Sequence, residues 1–97
     1  MNVHETVQLL SEQMSDIRQR FRVRDLAVFG SVARNEARHD SDLDILVDFA
    51  DRPTFDNYMG LKLYLEELFG SGVDLAIRSD LRPSLRPRIE REAVHVP

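Results

Sequence analysis

Cysteine is absent from this chain, which excludes disulfides, thiolate chemistry and cysteine-built zinc sites and fits a reducing compartment. Long apolar runs are absent as well, since none approaches the ~20 residues needed to cross a bilayer. The opening Met1-Asn2-Val3-His4-Glu5 has neither the basic start nor the apolar core of a secretory signal. Together these absences predict a soluble, cytoplasmic protein with no membrane association. Positive charge is also short: the formal net charge is -4 and the pI is near 5.3. That balance argues against stable nucleic-acid binding, which calls for clustered Lys and Arg. Most of the basic residues fall in Arg18, Arg20, Arg22 and Arg24 and in Arg82, Arg86, Arg88 and Arg91. They read either as a surface for an acidic partner or as solvated helix flanks. With 97 residues the chain is expected to form one domain, residues 1–97, of modest stability. It carries no repeat, low-complexity tract or linker.

What is present is concentrated in one segment. The apolar run Leu26-Ala27-Val28-Phe29 ends in Gly30-Ser31, and ten residues later Asp42-Leu43-Asp44 opens a second run through Phe49. Alternate residues of a strand face opposite sides. Asp42, Asp44, Leu46 and Asp48 therefore share one face of the second strand, and Leu43, Ile45, Val47 and Phe49 share the other. Val73-Asp74-Leu75-Ala76-Ile77-Arg78 alternates in the same way. The expected sheet has one apolar face and one functional face, with the Gly-Ser turn and the acidic pair both at strand ends.

Carboxylates at i and i+2 of a strand lie about 6.5 Å apart along the backbone. At an effective dielectric of ~20 their mutual repulsion is roughly 2.5 kcal/mol, so a cation belongs there. Magnesium suits such a site, because it takes hard oxygen ligands and shares itself between carboxylates and phosphates. Asp74 is the natural third acid. In a chain with 17 Asp and Glu, Asp-x-Asp alone often marks only a helix cap or a solvated strand end. Its company, a Gly-Ser turn after an apolar strand and a strand-borne Asp of matching parity, points to catalysis instead.

The flanking segments supply the scaffold. Val3, Val7, Leu10, Met14, Ile17 and Phe21 fall at the spacing of one apolar helix stripe, expected to cover the apolar face of the sheet. A second helix is expected from about Asp56 to Phe69, with Gly70 as its C-cap. Its Tyr58, Met59, Leu61, Leu63, Tyr64, Leu65, Leu68 and Phe69 wrap beyond one buried stripe. Either the helix is clamped between the sheet and the first helix, or it offers an interface to a partner or a second copy. The stretch Leu81–Ala93 reads as a loop, then a short helix with Pro87 in its first turn. The final Val94–Pro97 is too short to assign, an edge strand being one reading. His39, between the Gly-Ser and Asp-x-Asp elements, reads as a solvated loop residue or as a nucleotide contact.

The stretch Phe29-Gly30-Ser31-Val32-Ala33-Arg34-Asn35-Glu36-Ala37 with Ser41-Asp42-Leu43-Asp44-Ile45-Leu46-Val47 resembles the minimal nucleotidyltransferases of the DNA polymerase beta superfamily, including the antitoxin partners of HEPN ribonucleases. The likeness runs from the first helix to the closing Arg91-Glu92-Ala93-Val94-His95-Val96. It implies a small α+β fold: a mixed sheet with helices on one face and the acidic site on the other. It further implies that Gly30 and Ser31 hold the triphosphate of ATP. Asp42 and Asp44 would ligate two magnesium ions, and Asp74 would complete the shell of the catalytic one and help deprotonate the attacking hydroxyl. Two metals can stabilise both the attacking and the leaving oxygen of an in-line displacement. Asn35 stands where members of the family usually carry Gly. If that position is left-handed, Asn is the least costly replacement. Arg34 matches the pattern and reaches either a phosphate or a neighbouring acid.

The activity this implies is AMP transfer from ATP onto a hydroxyl, a tyrosine of a HEPN-type toxin, in a hetero-oligomer with that toxin. The larger relatives carry extra domains to grip an acceptor, and this chain has none, so a docking protein acceptor accounts for selectivity. Two other readings stand beside it: an antitoxin that neutralises by binding alone, and nucleotidyl transfer to RNA or a small molecule.

Overall fold

A computed structural model describes residues 2–37 and 41–97 of the chain. The apolar stripe of the first segment folds as α1, Val3–Phe21. Asn2 caps its start, with Oδ1 accepting the Glu5 amide at 2.8 Å. Arg22 ends it in the left-handed region at φ 55°, a conformation costly for a residue with a Cβ, and turns the chain straight into β1, Val23–Phe29. Leu10, Met14, Ile17 and Phe21 are buried. A bulge between Val23 and Asp25 resets the parity of β1, so that Val23, Leu26 and Val28 are all buried, as an extra residue in one strand requires.

β1 runs into α2, Gly30–Ala33, a single turn. β2, Leu43–Phe49, pairs antiparallel with β1. Its Leu43, Ile45, Val47 and Phe49 are buried, as the period-2 reading expected. α3, Phe55–Phe69, crosses over to β3, Val73–Ile77, which pairs parallel with β2. Gly70 caps α3 at φ 67° and donates its amide to Glu66 O. After a 3-10 turn at Arg78–Asp80 and α4, Arg86–Glu92, with Pro87 in its first turn, the chain closes with β4, Val94–His95. β4 is an edge strand antiparallel to β1. The sheet order is β3-β2-β1-β4, a mixed sheet.

α1 packs on β1 and β4 while α3 packs on β3 and on the flank of α1. The two long helices thus lie side by side on one sheet face, and α3 is held within the chain by the two surfaces its apolar residues called for, the sheet and α1. Leu61 and Leu65 are fully buried, and Tyr58, Tyr64, Leu68 and Phe69 pack against the core. The Tyr58 hydroxyl donates to Leu75 O at 2.6 Å, and Tyr64 meets Phe21 edge-on with ring centroids 5.4 Å apart. This accounts for most of the surplus of apolar residues on α3. Phe55, at 77 % exposure, and Leu63, at 58 %, remain outside.

The opposite sheet face carries Asp44, Leu46 and Asp48 on β2, Ala27 and Phe29 on β1 and Asp74 on β3, with α4 beside it. No described helix is long and apolar enough to cross a membrane.

Candidate active site

The sheet register builds the site. Asp44 lies opposite Phe29 of β1 and opposite Asp74 of β3, so the end of β1 and two carboxylates meet on one face. Gly30 sits at φ 72°, where an L side chain is strained, and a Cβ there would overlap the Asp44 carboxylate. Only glycine lets the turn approach Asp44 this closely.

Burial lifts the Asp44 pKa above the ordinary carboxylate value, the charge of Asp74 lifts it further, and a hydrogen bond from the Ser31 amide opposes both. Asp44 and Asp74 stand side by side across the β2–β3 pairing, so two like charges crowd one place on the sheet face. Asp42 stands just ahead of β2 and is exposed. It is fixed by Gly72: Leu43 donates its amide to Gly72 O at 3.0 Å, and a Cβ on Gly72 would fall 2.5 Å from Asp42 Oδ1. The structure therefore brings Asp44 and Asp74 into contact and holds Asp42 at the adjacent strand mouth. Among the described residues no three His, Cys, Asp or Glu converge tightly enough to form a ready metal cage. The donor set nevertheless fits magnesium. It is all carboxylate oxygen, and the raised pKa of Asp44 records the unfavourable charge that a cation would offset.

The Gly-Ser turn attracts anions even within the protein. The Gly30 amide donates to Glu92 Oε1 at 3.1 Å. Arg34 donates from Nη1 to both oxygens of Glu92, each at 3.2 Å, and from Nε to Glu36 Oε2 at 3.2 Å. Of the two readings of Arg34, the structure displays the pairing with acids. Asn35 has φ 59°, the left-handed conformation that its replacement of glycine required. Arg38, His39 and Asp40 lie outside the described residues, and with them the reading of His39 as a nucleotide contact.

Two residues of the site carried no signal in the sequence. Glu92 reaches Gly30 from 62 residues away, and Gly72 matters only because Asp42 is folded against it. Lys62 is a third neighbour, donating to Glu66 Oε2 at 2.8 Å and to Val73 O at 2.9 Å. Glu66 first and Asp42 last among the surrounding acids raise its pKa, against desolvation. Further along the same sheet face a groove of about 350 Å³ is lined by Ala27, Leu46, Asp48, Arg78, Glu90 and His95, among others. Its charges are largely paired, with Arg78 3.0 Å from Glu90 and Arg24 3.6 Å from Asp48.

These residues build a glycine turn packed on a strand-borne acid pair, in a mixed sheet backed by two helices. Residues 10–96 match the family model described as nucleotidyltransferase domain, and the chain belongs to that family of enzymes. The protein adenylyltransferase MntA of Thermococcus cleftensis is 41% identical over 96 residues, spanning 99% of this chain and 97% of that protein. A solved structure provisionally named a minimal nucleotidyltransferase is 42% identical and superposes with a TM-score of 0.80, covering 97% of this chain and 95% of that one. The fold also matches, at a TM-score of 0.66 and 20% identity, a chain of a complex of a tri-AMPylated Shewanella oneidensis HEPN toxin with its MNT antitoxin, covering 93% of this chain and 71% of that one.

Proposed function

We propose that this chain, acting as a single domain, is a magnesium-dependent adenylyltransferase that moves AMP from ATP onto a hydroxyl of a partner protein. By similarity the acceptor is a tyrosine of a HEPN-type ribonuclease toxin, and the chain is its cytoplasmic antitoxin. The observation that carries this reading is the packing of the Gly30 turn directly on Asp44, with Asp74 in contact on the next strand. The 41% identity to a protein adenylyltransferase over nearly the whole chain supports the kind of acceptor.

The chain's own residues divide the work. Gly30 and Ser31 hold the triphosphate, Gly30 because its missing side chain lets phosphate approach the backbone while its own amide stays on Glu92. Asp42, Asp44 and Asp74 hold two magnesium ions, which when bound offset the carboxylate and triphosphate charge and polarise the α-phosphoryl group. Asp74, the most exposed of the acids on the described strands of the site, helps take the proton of the incoming hydroxyl. The acceptor oxygen forms its bond to the α-phosphorus as the bond to the β-phosphate oxygen breaks, and pyrophosphate leaves. Positioning and charge stabilisation make up most of such catalysis.

Asp44→Asn tests the reading in cells co-expressing the partner toxin. An enzyme whose Asp44 is replaced still binds its partner but no longer protects the cell. A stably expressed Asp44→Asn variant that protects as well as the wild type identifies neutralisation by binding alone.

A further inference from the structure

We infer that Glu92 is a positioning residue of this site: its carboxylate holds Gly30, and through Gly30 the carboxylate of Asp44, in the geometry that the transfer uses. The inference rests on the proposed adenylyl transfer for its catalytic consequence, and on hydrogen bonds alone for the clamp itself.

Glu92 is the last residue of α4, and its side chain is only 18% exposed. One oxygen, Oε1, accepts from both the Gly30 amide at 3.1 Å and Arg34 Nη1 at 3.2 Å. The other oxygen accepts from the same Nη1 at 3.2 Å. A partly buried carboxylate therefore ties the two ends of the α2 turn together from outside it. Arg34 is held in turn by Glu36, and its amide closes the turn onto Gly30 O at 3.0 Å. Glycine is the most mobile residue of any chain, and its left-handed conformation here has no side chain to fix it. An external acceptor is what keeps it in one place.

The consequence reaches Asp44 because the two residues are in direct contact, with no room for even a methyl group between them. A shift of Gly30 therefore moves the backbone wall against which the Asp44 carboxylate packs. Misplacement of a reacting constellation by about 1 Å costs on the order of 100-fold in rate, so a residue that touches no substrate has leverage on the reaction. The α4 segment thus acts as a latch on the Gly30 turn.

Glu92→Ala and Glu92→Gln separate this role from a general effect on stability. Gln retains an acceptor for the Gly30 amide and loses the charge that pairs with Arg34, whereas Ala loses both. Amide hydrogen exchange at Gly30, read by NMR in the full-length protein, is expected to quicken about tenfold or more in the Ala variant and less in the Gln variant, the scale of one lost charge-assisted hydrogen bond. In the same proteins, assayed well below their unfolding midpoints, kcat for AMP transfer is expected to fall about tenfold or more with Ala and by less with Gln. Unchanged Gly30 exchange in the Ala variant overturns the clamp. Quickened exchange with wild-type kcat overturns the positioning role. A wild-type protein that transfers nothing refutes the adenylyl-transfer reading, and the Gly30 exchange still decides the clamp on its own.

Discussion

At the scale of single residues the site works by close approach. Gly30 has two independent reasons to be glycine, a left-handed backbone and contact with Asp44, so Gly30→Ala is predicted to destabilise the fold by about 2 kcal/mol or more. Thermal unfolding measures that cost, and AMP transfer should be lost with it. Asp44 gives the opposite prediction for stability. Its pKa is raised in the folded protein, so the protonated form favours the fold and that contribution is lost as pH rises through the folded value. Asp44→Asn is therefore expected to raise the unfolding midpoint near pH 7 without metal. The advantage should vanish as pH falls below the ordinary Asp range near 3.9. An Asp44→Asn variant less stable than the wild type at neutral pH contradicts the assignment of strain to that carboxylate. Gly30, Ser31, Asp42 and Asp44 were legible in the sequence as candidates because they fall within one short segment. Glu92 and Gly72 were not, because each acquires its role only when distant segments meet.

At the scale of elements, alternation and helical spacing named the parts correctly, since they report which face is buried. Leu43, Ile45, Val47 and Phe49 are buried as the two-residue period requires, and α3 ends at Gly70 as its composition indicated. The surplus of apolar residues on α3 was less legible. Tyr58 and Tyr64 are drawn inward through their hydroxyl partners and ring contacts, which depend on where α1 and β3 lie. The joint between α3 and β3 has its own signature. Glu66 accepts from Lys62 and from the Val73 amide, and these bonds lower its pKa. Its contribution is present above the unfolded Glu value, near 4.3, and is lost as pH falls through the lower folded value. Glu66→Gln should accordingly lower the unfolding midpoint at neutral pH, with the gap closing in acid. In the core the expectation is larger: Leu65→Ala, at a fully buried position, should cost about 2–5 kcal/mol in denaturant unfolding.

At the scale of the whole molecule, the question left open by composition was what the arginines do. Arg18 pairs with Asp25, Arg20 with Asp16, Arg22 with Asp51 and Arg24 with Asp48. The run at the end of α1 is thus matched acid for base on the protein's own surface, and pairs so exposed contribute little each. Single replacements such as Arg22→Ala are predicted to move stability by no more than about 0.5 kcal/mol. This is the solvated reading of those four residues. The sheet brings Gly30 from β1, Asp44 from β2 and Asp74 from β3 to one face, and α4 returns to fasten the turn. The account's central claim is AMP transfer from that site to a protein. The direct measurement is to mix the protein, magnesium and α-labelled ATP with the HEPN-type toxin proposed as its partner, beside the Asp44→Asn variant, and locate the label by gel and mass spectrometry. The account predicts label on a toxin hydroxyl with the wild type alone, together with loss of ribonuclease activity. An unlabelled toxin silenced equally by both proteins would contradict it.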